Sequence, residues 1–416
     1  MTGPSDAQLV ERQRVAHFAA LRRLCITGTN GKTSTAGLVD AMLGAAGRHR
    51  AQVTTLGASL DGTPIRTGVD FDAFADAVDG LPEGGELILE VTSESLAEGF
   101  CWRWPPHIAA VTHVTRDHLD VHGTLERYLA AKGQLLMALP AEGVAVLNAN
   151  CPSSALLSEL VPPGVQLLTF ALADEPRHLE GTPTLTAQEI VDTPQGVRVH
   201  LAPSPLAERL GGMLQLSVSG TFQGPNVLAA ALVAHSAGVQ PEHISRGAHA
   251  FCGVRGRFEI VGGPPKVIVD YAHNPDGLQR ALQAARQHLD PGGRLWCLFG
   301  AGGERDAGKR PLMGVVAATE ADQVYLTADN PRHESAAHIA EEIKSGADAL
   351  DVACEWVYIS DRRRAIEAII TAAQPGDVVL LAGRGHERTQ QVGDRVIDFD
   401  EIEEARAALS QRNDDR

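Results

Sequence analysis

A short apolar run, Leu24-Cys25-Ile26, leads directly into Thr-Gly-Thr-Asn-Gly-Lys-Thr at residues 27–33, and a helix-forming stretch begins near Ser34. Strand, glycine-rich loop and helix in that order constrain the fold more than any other feature. They prescribe a parallel α/β unit with the loop at the carboxyl end of a strand. Gly28 and Gly31 let backbone N–H groups approach an anion without an intervening Cβ. Lys32 offers a point charge, the Thr33 hydroxyl can ligate a hard cation, and Thr29, Asn30 and Ser34 complete the cradle. The general phosphate-loop pattern places glycine where this chain has Ile26. The bare pattern therefore also fits a Gly-rich turn capped by Thr, and it is the strand–loop–helix context that favours a nucleotide site.

The same alternation runs along the chain. Apolar, β-prone runs occupy Leu87–Val91, Ile108–Val111, Val144–Leu147, Val267–Val269, Leu295–Phe299 and Val378–Leu381. Ala/Leu-rich helical stretches occupy Leu125–Leu139, Asn226–Ala237, Gly277–Leu289 and Ser335–Lys344. Parallel sheets flanked by helices follow from this pattern. Residues 162–216, rich in Pro, Thr and Gly, read as an antiparallel insertion at the edge of the first domain. The cluster Gly262-Gly263-Pro264-Pro265 makes the best domain boundary. The expected organisation is an N-terminal extension (1–22), a phosphate-loop α/β domain with an antiparallel edge (23–260) and a Rossmann-like α/β domain (261–416). Asp398–Arg416 reads as a helix that becomes a charged, frayed tail.

Composition removes several classes. The 416 residues carry a formal charge of −16, with 44% hydrophobic and 21% charged residues, and no basic run offsets the acidity. Nucleic acid and anionic membrane are thereby disfavoured as partners. The six cysteines are scattered without a Cys-x-x-Cys pair, which suits reduced thiols in a cytoplasm. Met1–Arg23 is polar and reads as neither a signal peptide nor an anchor.

Polar residues gather at strand ends. Glu90 ends the run Leu87-Ile88-Leu89 and is placed to hold Mg²⁺, directly or through water; a surface glutamate is the plain alternative. His118 and His122 lie four apart in Thr115–Gly123, but nearby carboxylates and the absence of soft ligands favour a hard cation over zinc. His122 and Gly123 also read as shaping a helix start, with Thr124 as N-cap. Lys132 lies on an Ala-rich helix, where composition alone makes it a solvated lysine. Asp270–Pro275, Phe299–Asp306, Asp329–Arg332 and Gly383–Glu387 each follow an apolar run. Any one could be an ordinary turn, but four in one domain point to a ligand site. Arg305 and Arg332 could hold a carboxylate between them.

In this order, these segments resemble the Mur ligase family from Leu24 to the C-terminus, with Glu90-Val91-Thr92-Ser93, Ala130-Ala131-Lys132 and Gly256-Arg257-Phe258-Glu259 adding to the match. The resemblance implies an ATP-dependent ligase that activates a carboxylate as an acyl phosphate and couples it to an amino acid. It implies a central ATP-binding domain and a C-terminal amino-acid-binding domain. By the same resemblance, Gly31, Lys32 and Thr33 would bind ATP phosphates and magnesium, with Glu90 and His118 as magnesium ligands. Lys132 matches a lysine carbamylated by CO₂, whose carbamate helps hold a second Mg²⁺. Asn226, Arg257, Asp270, His273 and Asn274 match nucleotide-contacting positions. Arg305, Asp329, Asn330, Arg332, Gly383 and Glu387 match the residues that hold meso-diaminopimelate in one family member, and Thr92 lies on the acid-substrate side.

Two departures bear on the acid. The residues to Arg23 that precede the phosphate-loop strand are expected to be too few for the family's additional uridine-nucleotide domain, an expectation that admits a companion protein in its place. After Glu90 the family's Ser-Ser-His stretch and a downstream glutamine and arginine are replaced by Thr92-Ser93-Glu94, Glu98 and Phe100. A non-standard acid substrate is the expectation, with an ATP-binding subunit or regulatory homologue as the alternative.

Overall fold

The computed structural model describes residues 16–68 and 70–414, so the polar stretch to Val15 and the end of the charged tail lie outside the described residues. The chain forms two units. One runs to Arg116 and resumes over His122–Cys252; the other joins Asp117–Val121 to the chain from Gly253 onward.

The first unit is built on one mixed sheet. Its strands are β1 (Arg22–Thr27), β2 (Arg50–Thr54), β3 (Gly57–Leu60), β4 (Thr63–Thr67), β5 (Glu86–Glu90), β6 (Ile108–Val111), β7 (Val144–Asn148), β8 (Gln166–Leu172), β9 (Leu185–Thr193), β10 (Gly196–Leu201) and β11 (Met213–Gln215). Their order is β11-β10-β9-β8-β7-β6-β1-β5-β2-β3-β4. The strands from β9 through β2 run parallel, while β10–β11 and β3–β4 add antiparallel hairpins at the two edges. The central runs are apolar throughout because helices cover both faces. On one face the helix Gln223–Ser236 packs on Lys32–Ala45. Val227–Ala234 is buried all round, as befits a helix under a second helical layer. On the other face the helices Phe71–Gly80 and Leu125–Met137 close a core that includes Leu87, Leu89, Leu135 and Leu136.

The reading of residues 162–216 as wholly antiparallel is corrected here. Strand β8 pairs parallel with both β7 and β9. The short helix Ser154–Ser158, which carries no strong sequence signal, supplies the crossover that a parallel neighbour of β7 requires.

The second unit has a six-stranded sheet of β12 (Glu259–Gly262), β13 (Lys266–Asp270), β14 (Leu295–Phe299), β15 (Gln323–Leu326), β16 (Glu355–Tyr358) and β17 (Val378–Ala382), in the order β12-β13-β17-β14-β15-β16. All neighbours are parallel except β12 against β13. A separate hairpin pairs β18 (Thr389–Val392) with β19 (Arg395–Asp398). The cluster Gly262–Pro265 forms the β12–β13 connection, and the unit itself begins at Gly253. Ile366, Ile369 and Ile370 of the helix Arg362–Ala372 join Ile402 and Ala405 of the helix Glu401–Asp414 in the core beneath the sheet. The strand order brings the carboxyl ends of β13, β17, β14 and β15 side by side, where open α/β sheets bind ligands. Among the described residues no helix is long and apolar enough to cross a membrane.

Candidate active site

In the first unit the site grows from β1. Helix Lys32–Ala45 begins at Gly31, whose φ of 86° is left-handed and whose position no side chain caps. A helix start of this kind directs backbone N–H groups and the positive end of the dipole at an anion. A Cβ on Gly31 would strike the Asn226 carboxamide oxygen, and one on Gly28 would strike the Thr112 hydroxyl. The backbone therefore comes closer than any other residue would allow. Thr112, just beyond β6, fixes the loop by donating to Asn30 O (2.7 Å) and Thr27 O (3.2 Å). Lys32 folds over the loop, its Nζ donating to Thr29 O (2.9 Å) and Gly28 O (3.1 Å).

Register places Glu90 beside Ile26, and its Oε2 accepts from the Thr33 hydroxyl at 2.8 Å and from Thr55 N at 3.3 Å. A hydroxyl and a carboxylate at a phosphate loop form the hard-oxygen donor set that magnesium requires. These residues fit a nucleotide with its cation.

Lys132 corrects the composition-based expectation of a solvated lysine, for it is 1% exposed. Its Nζ donates to Gly28 O (2.8 Å) and Thr27 Oγ1 (3.4 Å) and lies 4.6 Å from the centroid of the Tyr128 ring. Tyr128 shares a hydrogen bond with Thr29 Oγ1 (3.0 Å), and that hydroxyl also meets Thr115 O. A buried amine with oxygen partners is tied to the phosphate loop itself. Thr92 is occupied as a helix cap, its Oγ1 accepting from Ser95 N, while Ser93 Oγ donates to Glu94 Oε2. His122 ends the turn Leu119–His122 and packs its ring 5.4 Å from Tyr128, and Thr124 caps the helix that follows.

His118 belongs to the second unit, where its neighbour Asp117 is a hub that the sequence reading missed. The buried Asp117 carboxylate accepts from Asn274 Nδ2 (2.9 Å) and faces His273 Nε2 (3.4 Å), Lys309 Nζ (3.7 Å) and His118 Nε2 (3.8 Å). Burial pushes its carboxyl up, but the hydrogen bond and charge of His273, with Lys309 and His118, outweigh burial and hold it far below the ordinary carboxylate range. Ligand atoms of Asp117, His118 and His273 all lie within 4.8 Å of one another, a spacing that could hold a cation. Asn274 also caps the helix Pro275–Arg286. Asp270 is committed to backbone, accepting from Phe258 N and Ala272 N at 2.7 Å each, and its burial raises its pKa. Arg257 stacks 4.2 Å from the centroid of the Tyr271 ring.

The remaining strand ends meet in one polar cluster. Asn330 Nδ2 donates to Glu387 Oε2 (3.0 Å), and Asn330 Oδ1 accepts from Gln391 N (2.8 Å). Gly383 has a φ of 111°, and a Cβ there would lie 2.8 Å from Asp329 Oδ2. Burial, and then Asp329, push the Glu387 carboxyl up. Arg332 Nη1 donates to Gly303 O (2.6 Å), while Arg305, half exposed, reaches Asp120 Oδ2 (3.3 Å). A Cβ on Gly302 would touch both arginines, at 3.4 and 3.5 Å, so the two share one side of this turn. Cations and carboxylates in one cluster suit a zwitterion.

Comparison with known proteins identifies the family. The Mur ligase middle domain matches residues 26–234, and the Mur ligase glutamate ligase domain matches residues 256–385. The chain is 39% identical over 403 residues to a UDP-N-acetylmuramoyl-L-alanyl-D-glutamate–2,6-diaminopimelate ligase of Synechococcus elongatus, covering 94% of this chain and 77% of that protein. The ligase of the same name from Caulobacter vibrioides is 37% identical, with 93% and 79% covered. A solved structure of such a ligase superposes with a TM-score of 0.63 at 30% identity, covering 98% of this chain and 82% of the other. A Mycobacterium tuberculosis folylpolyglutamate synthase shares the fold, with a TM-score of 0.67 at 19% identity over 90% of this chain and 95% of its own.

Proposed function

The chain belongs to the Mur ligase family, and from that membership we propose a two-step amide synthesis on the residues described above. It is an ATP-dependent carbon–nitrogen ligase. A carboxylate oxygen of the acid bonds to the γ-phosphorus of ATP, the bridging P–O bond breaks, and ADP leaves. The amine nitrogen of the amino acid then bonds to the acyl carbon, the C–O bond to phosphate breaks, and phosphate and one proton are released. The protein supplies position and charge for both steps.

The first unit is the ATP-binding half and the second the amino-acid half in this reading. Gly28–Ser34 cradle the phosphates, Lys32 brings its charge to them, and Asn226, Arg257, His273 and Asn274 serve the rest of the nucleotide. Thr33 and Glu90 would hold magnesium, with His118 and a carbamylated Lys132 for a second ion. Magnesium, when bound, neutralises charge on the phosphoryl oxygens. Carbamylation joins the Lys132 nitrogen to CO₂ with loss of two protons from the ammonium, converting a buried cation to an anion. Arg305 and Arg332 take a carboxylate of the amino acid, and Asp329, Asn330 and Glu387 take its amino group. The relatives' names make 2,6-diaminopimelate the first candidate amine. For the acid, Glu94 and Glu98 add two carboxylates after β5, which supports an acid with less negative charge than the relatives' uridine-nucleotide peptide.

The observation that carries this reading is the Thr33–Glu90 hydrogen bond at the mouth of the phosphate loop. The test supplies ATP and Mg²⁺ with a panel of acids, the uridine-nucleotide peptide included, and amines. ADP release that requires both acid and amine supports the ligase. Release with an acceptor alone would make it a phosphotransferase, and restoration of turnover by a companion protein would favour the subunit reading.

A further inference from the structure

One buried group beside the amino-acid pocket has no role in the scheme above. Arg384 follows Gly383 at the end of β17 and is fully buried, yet its Nε and Nη1 find no hydrogen-bond partner among the described residues. Its Nη2 donates to Thr389 O, at the start of β18. The guanidinium faces Glu387 Oε2 (3.3 Å) and Asp329 Oδ1 (3.9 Å) and lies 5.4 Å from the centroid of the Phe399 ring. A buried guanidinium with open donors and two carboxylates within reach is costly unless its charge is used.

The surrounding charges show the use. Two guanidiniums, Arg362 and Arg384, stand among three carboxylates, Glu401, Asp329 and Glu387, with His273 also facing Glu387. Arg362 is bonded to Glu401 at 2.6 Å, which leaves Arg384 as the cation for the Asp329–Glu387 pair. With all five ionised the cluster carries one excess negative charge, the complement of a single ammonium.

We infer that Arg384 is a positioning residue of the amino-acid site: it holds Glu387 ionised beside Asp329, so that the pair receives an ammonium group of the amine substrate. The inference rests on the reading of this pocket as the amino-acid site. Burial and Asp329 both favour the neutral acid at Glu387, and Arg384 opposes them. Removing Arg384 raises the pKa of Glu387, so binding of the amine needs a higher pH.

The experiment is the pH profile of kcat/KM for the amine that supports turnover, in wild type, Arg384→Met and Arg384→Lys. Arg384→Met is expected to move the acid limb up by about one pH unit or more, raise the amine KM about tenfold at pH values below the wild-type limb and leave the KM for ATP unchanged. Arg384→Lys restores the wild-type limb. If thermal melting shows Arg384→Met unfolded, Arg384→Gln replaces it. A merely structural arginine would lower activity without moving the limb, and an unmoved limb overturns the inference. Glu387→Gln separates the two levels. If it raises the amine KM while the Arg384→Met limb stays in place, only the role of Arg384 falls. If it leaves the amine KM unchanged, the pocket reading falls and the inference with it.

Discussion

Replacing Arg362 by methionine removes the cation from an ion pair in which both side chains have no exposed surface. Arg362 Nη2 meets Glu401 Oε1 at 2.6 Å and also donates to Ala382 O (2.8 Å), while Nη1 reaches Ala328 O (3.4 Å). Glu401 already has its pKa raised by burial, with Arg362 offsetting that effect. Stranding a buried charge in this way costs about 3–5 kcal/mol. At 2–4 °C per kcal/mol for a unit of this size, the melting temperature of the second unit falls by about 6–20 °C. Replacing both Arg362 and Glu401 by methionine removes the stranded charge, and only the lost donors to the two carbonyls remain, about 1–2 kcal/mol. Ala328 and Ala382 directly precede Asp329 and Gly383, so the single variant also raises the KM for the amine and spares the KM for ATP. Differential scanning calorimetry of wild type, both single variants and the double variant reads the cycle. A single-variant cost below about 1 kcal/mol, or a double variant as unstable as the sum of the singles, would show that no charge is stranded.

Gly31→Ala forces a Cβ into a left-handed position against Asn226; with strain of about 1–2 kcal/mol, it should raise the KM for ATP at least fivefold by steady-state kinetics while leaving amine binding unchanged. Arg332→Ala should raise the KM for the amine far more than that for ATP, and equal effects on both would remove Arg332 from the amino-acid site. Glu90→Gln should raise the Mg²⁺ concentration for half-maximal rate, read from a magnesium titration, because the Glu90 carboxylate meets the Thr33 hydroxyl at the phosphate loop. The pKa of Asp117 is depressed in the folded chain, so its contribution to stability is full above the unfolded value of about 4 and is lost as pH falls below it. Urea midpoints of wild type should therefore fall more steeply between pH 5 and pH 3 than those of Asp117→Asn.

The strands were legible because parallel strands covered on both faces must be apolar throughout. Leu295–Phe299 and Ile108–Val111 coincide with the observed elements, and the others shift by a residue or two. The phosphate loop was legible because its chemistry is contiguous. Asp117 was not, since its partners come from residues 273, 274 and 309, far along the chain. Lys132 read as solvated because sequence does not show what a helix faces, and Tyr128 with the loop carbonyls encloses it only in three dimensions. Arg384 lay within the segment Gly383–Glu387, but its burial arises where β17, β18 and Phe399 meet. The Gly262–Pro265 cluster has the composition of a linker but connects antiparallel β12 to β13 within one unit.

The proposed activation of the acid is phosphorylation of its carboxylate. It is tested by running the reaction with the acid labelled with ¹⁸O in that carboxylate and measuring the released phosphate by mass spectrometry. Attack of the carboxylate on the γ-phosphorus, followed by cleavage of the acyl C–O bond, carries one carboxylate oxygen into each phosphate. One ¹⁸O per phosphate formed is the predicted result, and phosphate released without label would exclude an acyl phosphate.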